Sequence, residues 1–420
     1  MEKQKNIPEL RFPEFEAEWE KKILNDTCTI VGGGTPDSGK EEFWNGHIQW
    51  FTPTEIKMDY VSKSERTITE LGLKKSSARL LPDGTILLTS RATIGEVAIA
   101  LNECTTNQGF QSIIVNKSYN NLFIFNWIKN NRYQFVRRAN GSTFLEISKS
   151  EIGKIPICAP TLPEQQKIAF FFTAIDQKIL QLKQKKTLLE QYKKGVMQKI
   201  FSQQIRFKDD NGQKYPKWVK TKFHDIYTFR NTNSFSRENL NYKNGDVKNI
   251  HYGDIHTKFN TLFDITKEEI PYVNEDLPIY KISVDNYCKA GDLVFADASE
   301  DLTDVGKSIE LVNLNNEMVL SGLHTILARP NLSKITIGFG GYLMKSDDIR
   351  KQIMHEAQGS KVSSISASKL SCIQLNIPVP EEQTKIANFL SSIDDKINYT
   401  QKQIEKAEVW KKGLMQQMFV

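Results

Sequence analysis

Histidines, carboxylates and lysines that fall close together are where chemistry would begin, and three groupings in this chain invite the test. Gly306-Lys307-Ser308 has the ending of a phosphate-binding loop. The first glycine of such a loop would fall at 301, which is Asp301, so the cradle of backbone N–H groups is broken. Pro36-Asp37 with Glu55-Ile56-Lys57 imitates the carboxylates and lysine of a metal-dependent nuclease, but the pattern is short and has no copy in the second half of the chain. His251, Asp254 and His256 carry ligand atoms that suit a metal. Two histidines five residues apart do not share one helical face, and no third lies near. No Gly-x-Gly-x-x-Gly follows a strand, and no Asn-Pro-Pro-Tyr or Asp-Pro-Pro-Tyr tetrad for amino-methyl transfer occurs. No Ser or Cys nucleophile has a recognisable companion. The expectation is no catalytic residue and no metal ligand.

What the polar loops do contain is the residue set that reads DNA. Arg and Lys bond guanine, Asn and Gln bond adenine, and Ser, Thr and Lys hold phosphates. In the first half the candidates are Thr35 in Gly33-Gly34-Thr35-Pro36, then Lys40 and Trp44. Thr89-Ser90-Arg91 follows, then Asn107, Gln108 and Gln111, and then Ser142. In the second half they are Lys243 and Asn244, the run His251, Tyr252, His256, Thr257 and Lys258, and finally Ser360 and Lys361.

The elements that must position these residues come as a repeat. Residues 164–201 and 382–419 align without a gap at an offset of 218, with 17 identities over 38 positions. Upstream, Asp83–Leu88 resembles Ala290–Phe295, Gln108-Gly109-Phe110-Gln111 resembles Ser321-Gly322-Leu323-His324, and Leu10-Arg11-Phe12 with Trp19 resembles Ile205-Arg206-Phe207 with Trp218. A period above 200 residues is not a solenoid; it is a duplicated domain with its tail. Short strand-like runs and a helix near each domain end (Phe123–Arg138, Phe339–Ala357) predict α+β globules with mixed sheets. The predicted boundaries are 1–162 for the first globule, 163–201 for the first helix, 202–380 for the second globule and 381–420 for the second helix.

Each tail is expected to be one long helix with a heptad seam. In the first the apolar seam runs Ile168, Phe172, Ile175, Ile179, Leu182, Leu189 and Val196; in the second it runs Ile386, Leu390, Ile393, Ile397, Ile404 and Leu414. Two such stripes in one chain are natural antiparallel partners, which gives the fold a pseudo-twofold character. Lys186 and Lys193 also fall on the first seam, so a first helix paired with a copy of itself is expected to bring like charges face to face.

Composition sets the outer limits. At 420 residues, 39% hydrophobic and 25% charged, the chain is globular. No apolar run reaches the ~20 residues of a membrane span, and five scattered cysteines without a C-x-x-C fit a reducing cytoplasm. The net charge of +6 permits a polyanion partner without demanding one.

The whole chain resembles the specificity subunit of type I restriction–modification systems. The resemblance is carried by Arg11–Phe15, Gly33-Gly34-Thr35-Pro36, the turn at Gly291, Tyr252-Gly253-Asp254-Ile255, and above all Pro160-x-x-x-Glu164-Gln165-x-x-Ile168-Ala169 and Pro378-x-x-x-Glu382-Gln383-x-x-Ile386-Ala387, each followed by a helix ending Lys-Lys-Gly-x-Met-Gln. It implies two target-recognition domains, each reading half of a bipartite, asymmetric site in double-stranded DNA, separated by an antiparallel coiled coil. It further implies a non-catalytic scaffold that docks two modification (methyltransferase) subunits, which restriction subunits then join. S-adenosylmethionine, ATP and magnesium would belong to those partners, with no cofactor on this chain. The second globule departs from the pattern, with Thr232-Asn233-Ser234 in the area of Gly-Gly-Thr-Pro. A fused restriction–methylation enzyme and a coiled-coil adaptor that binds only proteins are the alternatives.

Overall fold

The computed structural model describes residues 6–141, 145–359 and 361–420. It divides into two compact units, Met1–Lys183 with Lys402–Val420, and Gln184–Gln401. The long helices, Leu162–Phe201 and Pro380–Met418, therefore give one stretch to each unit.

The first unit is built on a five-stranded sheet in the order Cys28–Gly32, Gln111–Val115, Ile86–Leu88, Val97–Ala100, Tyr60–Val61. Its pairs are antiparallel except the last, in which Tyr60 runs parallel beside Ile99. A smaller sheet sets Trp44–Phe51 between Arg66–Ile68 and Cys104–Thr106. The chain enters and leaves this globule through a two-stranded ribbon, Glu20–Ile23 against Pro156–Ala159.

The second unit repeats the plan. Its five strands are ordered Tyr227–Arg230, Thr325–Pro330, Leu293–Ala296, Ser308–Asn313, Leu262–Asp264, with the same directions throughout. Val247–Ile250 plays the part of Trp44–Phe51, parallel to Met318–Ser321. The entry ribbon is Val219–Lys222 against Gln374–Ile377. The expected terminal helices are each two: Asn121–Asn130 then Arg132–Arg137, and Phe339–Met344 then Asp347–Glu356. Asn131 interrupts the first by leaving helical geometry, at φ −108° and ψ 20°, and its side-chain amide joins its backbone N–H on the Trp127 carbonyl, at 3.1 Å.

The Glu-Gln pair at the start of each long helix now has a physical cause. Glu164 is buried and accepts two bonds from Arg11, both 2.7 Å, and one from the Trp19 indole at 3.2 Å. Glu382 does the same with Arg206 (3.1 and 2.5 Å) and Trp218 (3.2 Å). Gln165 and Gln383 each return an amide N–H to the proline carbonyl five residues back, Pro160 at 2.8 Å and Pro378 at 2.9 Å. These bonds fasten the incoming segment to the helix that leaves the globule.

The heptad stripe serves two purposes. Ile168, Phe172, Ile175 and Ile179 pack into the first globule's core together with Leu414, Met415, Met418 and Phe419. Ile386, Leu390 and Ile393 pack into the second globule's core with Ile200. Leu182 and Ile404 are buried as well, while Leu189, Val196 and Ile397 are half-buried. Within the first unit the helices run antiparallel, Phe172 stacking on Phe419 at 5.9 Å and Asp176 meeting Lys411 at 2.5 Å. The stripe is thus wider in use than a pure two-helix seam, because its ends close the globular cores.

Candidate nucleic-acid interface

In the first unit three backbone bonds gather four loops along one edge. Gly34 donates to Thr106 (2.8 Å), Ser90 to Gly109 (2.8 Å) and Ile147 to Ser90 (3.0 Å). The turn at 33–34 depends on glycine. A Cβ at Gly33 would lie 1.9 Å from the Asn107 carbonyl oxygen, and one at Gly34 would lie 2.3 Å from the Ser77 hydroxyl. Thr35 leaves this turn exposed, its hydroxyl bonded to the Gln108 side chain. Arg91 leaves the next loop exposed and pairs with Glu146 at 2.9 Å. Asn107 caps the Gly109 N–H at 2.8 Å. Gln111 points a buried oxygen that has no partner among the described residues.

Three expectations in this unit need correction. Thr89 and Ser90 are fully buried; the Thr89 hydroxyl is spent on the carbonyls of Thr93 (2.5 Å) and Glu96 (3.2 Å). They form the floor under Arg91 and present nothing outward. Trp44 is 6% exposed, packs edge-on to Trp50 at 5.0 Å and donates its indole N–H to the Asp37 carbonyl. It belongs to the smaller sheet's core with Ile48 and Trp50, because the strand bulges between Trp44 and Ile48 and brings both opposite Ile68. Lys40 is exposed beside the Phe43 ring. Arg66, which the sequence reading passed over, lies over the Trp44 ring at 3.6 Å. Its alternation opposite the tryptophan strand was the available signal.

The second unit builds the same edge with other side chains. Asn233 donates to Ser321 (3.0 Å), Asp297 to His324 (3.1 Å) and Ile365 to Asp297 (2.8 Å). Asn233, Asp297, His324 and Ile365 therefore occupy the places of Gly34, Ser90, Gly109 and Ile147. Thr232-Asn233-Ser234 does replace Gly33-Gly34-Thr35, but the register at 321–324 differs from the sequence alignment. Asn107 donates to Phe51 and Gly322 to Ile250, so Gly322 matches Asn107 and His324 matches Gly109.

His324 is exposed, sits at φ 56° and has Nδ1 3.2 Å from Asp297. The Tyr252 ring lies 5.4 Å from it, and His256 bonds the Ala298 carbonyl through Nε2 at 3.1 Å. His251 was expected to face outward, yet it is buried and caps the following helix by accepting the Gly253 N–H at Nδ1, 3.1 Å away. Burial, then Arg237, push its pKa down against the pull of Asp254. Burial alone would raise the Asp254 carboxyl; bonds from Arg237 (both 2.9 Å), then Lys258, hold it below its ordinary value. Lys258 also donates to Tyr242, while Thr257 spends its hydroxyl on the Gly253 carbonyl. Lys243 is exposed, Asn244 bonds Glu275, and Lys361 is exposed. Ser142 and Ser360 lie outside the described residues.

The catalytic look-alikes resolve into fold. Glu55 accepts the Thr52 N–H (2.6 Å) and the Glu65 N–H (2.7 Å), a helix cap with no carboxylate left over. Lys307 donates to the His256 carbonyl. Among the described residues no three His, Cys, Asp or Glu side chains are placed to hold a metal ion, and no helix is long and apolar enough to cross a membrane.

Two stretches, residues 16–191 and 215–409, match the pattern of the type I restriction modification DNA specificity domain. The chain belongs to this specificity-domain family. The MjaIX specificity subunit of Methanocaldococcus jannaschii is 32% identical over 243 residues, 55% of this chain and 56% of that one. The chain thus spans little more than half the length of that relative. The MjaVIII specificity subunit of the same organism is 23% identical, over 98% of this chain and 95% of its own. Among solved structures, the type I S subunit from M. genitalium shares the fold over 99% of both chains, with a TM-score of 0.56 and 14% identity. The two specificity-domain matches fall on the two copies of the plan described above.

Proposed function

We propose that this chain is the specificity subunit of a type I restriction–modification complex, each specificity domain reading one half of a bipartite site in double-stranded DNA. The observation that carries this is the edge built twice on the same backbone bonds: Thr35, Gln108 and Arg91 on one copy, His324 with the Tyr252 ring beside it on the other. A constant frame with changed side chains is what two readers of two different half-sites require. Residues 1–162 and 202–380 are the readers. The long helices dock two modification subunits, and restriction subunits join that assembly in the cytoplasm. Phe170, Leu180, Leu188, Tyr192 and Tyr399 stand exposed on those helices and suit an apolar partner face. The chain itself is chemically inert; S-adenosylmethionine, ATP and magnesium act on the partners.

The test is to map methylated adenines in cells. Replacing Thr35, Gln108 and Arg91 together by alanine should relax one half-site and leave the other, while Tyr252 and His324 replaced by alanine should do the reverse. Change in both halves from either variant refutes the assignment, and methyl transfer by the purified chain alone refutes the inert reading.

A further inference from the structure

The two copies of the fold treat one lysine differently. In the first unit Lys129, near the end of the helix Asn121–Asn130, donates to both carboxylate oxygens of Asp59, at 2.7 and 2.8 Å. Asp59 directly precedes the edge strand Tyr60–Val61, and its carbonyl accepts the Ile99 N–H at 2.9 Å. In the second unit Lys345 ends the helix Phe339–Met344, six residues after Phe339 as Lys129 is six after Phe123. The residue that precedes the matching edge strand, with its carbonyl on the Glu310 N–H at 2.9 Å, is Thr261. Lys345 donates to the Thr261 hydroxyl at 2.7 Å. The lysine is kept and its carboxylate is gone.

That ammonium faces a cavity of about 390 Å³ within the second unit, lined also by Lys193, Lys194, Asn260 and Thr261. Three carboxylates share the lining, and each has a partner of its own. Asp394 is held by Lys193 (2.5 Å) and by the Tyr342 hydroxyl (2.7 Å). Asp347 accepts from Gln198 at 3.0 Å, and Glu190 pairs with Lys186 at 3.6 Å. Lys345 and Lys194 are left without a carboxylate partner among the described residues. Thr261 accepts from Lys345, so its own hydroxyl proton remains to be donated, and Lys345 keeps two further N–H donors. Burial, then Lys193 and Lys307, push the Lys345 ammonium down to about 8 against the pull of Asp394. A charge so placed is stabilised by any anion that enters.

We propose that this cavity is a binding site for a phosphate-class dianion, with Lys345, Lys194 and Thr261 as its donors, filling from solution the place that Asp59 fills in the other copy. The anion is either free phosphate or the phosphoryl group of a nucleotide. The site stands on geometry separate from the DNA-reading edges.

The test uses the full chain without DNA, so its failure leaves the proposed function intact. Inorganic phosphate should raise the unfolding midpoint more than potassium chloride of equal ionic strength. Thr261→Asp, which copies the first unit, should remove that response and raise the midpoint in phosphate-free buffer. Lys345→Met should weaken phosphate affinity at least tenfold by calorimetry. Adenosine monophosphate binding at least tenfold tighter than phosphate assigns the site to a nucleotide; equal affinities assign it to the free anion. Equal effects of phosphate and chloride on the unmodified chain overturn the proposal, as does an undiminished phosphate response in Thr261→Asp.

Discussion

Lys193 on the first long helix holds Asp394 on the second at 2.5 Å, and 218 residues further along Lys411 holds Asp176 at the same 2.5 Å. The two pairs are one contact written twice. This corrects the expectation that Lys193 would oppose self-pairing of the first helix. In an antiparallel pair of two first helices, Lys193 of each copy should take the place of Lys411 and meet Asp176 of the other.

The half-chain 1–205 should therefore dimerise. The core of the first unit is completed by Leu414, Met415, Met418 and Phe419. Their repeats are Val196, Met197, Ile200 and Phe201, which a second copy supplies. Folding and association are then linked, and the unfolding midpoint should rise with protein concentration. Asp176→Lys should leave the half-chain monomeric. A concentration-independent midpoint with a monomer mass in sedimentation would falsify the pairing.

Adding four residues within 180–190 lengthens a helix by ~6 Å and turns the seam by only about 40°. If the insertion extends both pairing and helix, the methylated site should keep both halves and gain spacer. If the added turn bulges out, the spacer should stay as it was. Loss of half-site identity, read by sequencing methylated adenines, would show that the helices take part in base reading.

Glu382→Ala should cost roughly 3–5 kcal/mol, because it strands Arg206 and the Trp218 indole without their buried acceptor. Hydrogen exchange should quicken around 205–218 and stay unchanged around 11–19, where Glu164 holds the matching anchor. Equal loosening of both segments would mean that the anchors are not independent.

Glu310 makes the second unit sensitive to pH. Burial raises its carboxyl to about 7, against the pull of the Gly341 and Gly338 N–H groups (2.6 and 2.7 Å). The folded state then keeps a proton that the unfolded state releases near 4.5. Stability from this group is full below that value and is lost as pH rises through about 7. Glu310→Gln should flatten the fall of the unfolding midpoint between pH 4.5 and 7, even if it lowers the midpoint overall. An unchanged slope would place the titration elsewhere.

The repeat, the two long helices and the Gly-Gly-Thr turn were legible in the sequence because they rest on local pattern: a 3.5-residue period, an ungapped offset, a glycine pair. The edge was legible only in part. Thr35, Gln108 and Arg91 reach the surface as expected, but Thr89, Ser90, Trp44 and His251 do not. Polar and aromatic residues fill buried caps and inner sheet faces as readily as they fill binding surfaces, and residue type alone does not separate the two. The match of Gly322 to Asn107 was missed because it is set by which carbonyl each N–H reaches. Setting Gly109 against Gly322, glycine on glycine, places the register two residues away from the one the backbone bonds make.

The entry ribbons, Glu20–Ile23 with Pro156–Ala159 and Val219–Lys222 with Gln374–Ile377, bring each globule's two chain ends side by side. Whatever happens between those ends, a lost strand or a lengthened loop, arrives at the long helix through the same narrow neck. Heredity can then treat a globule as a replaceable part: a stretch of gene cut at the two strands of one neck and exchanged for another of different length returns the chain to the helix at the same point and in the same direction.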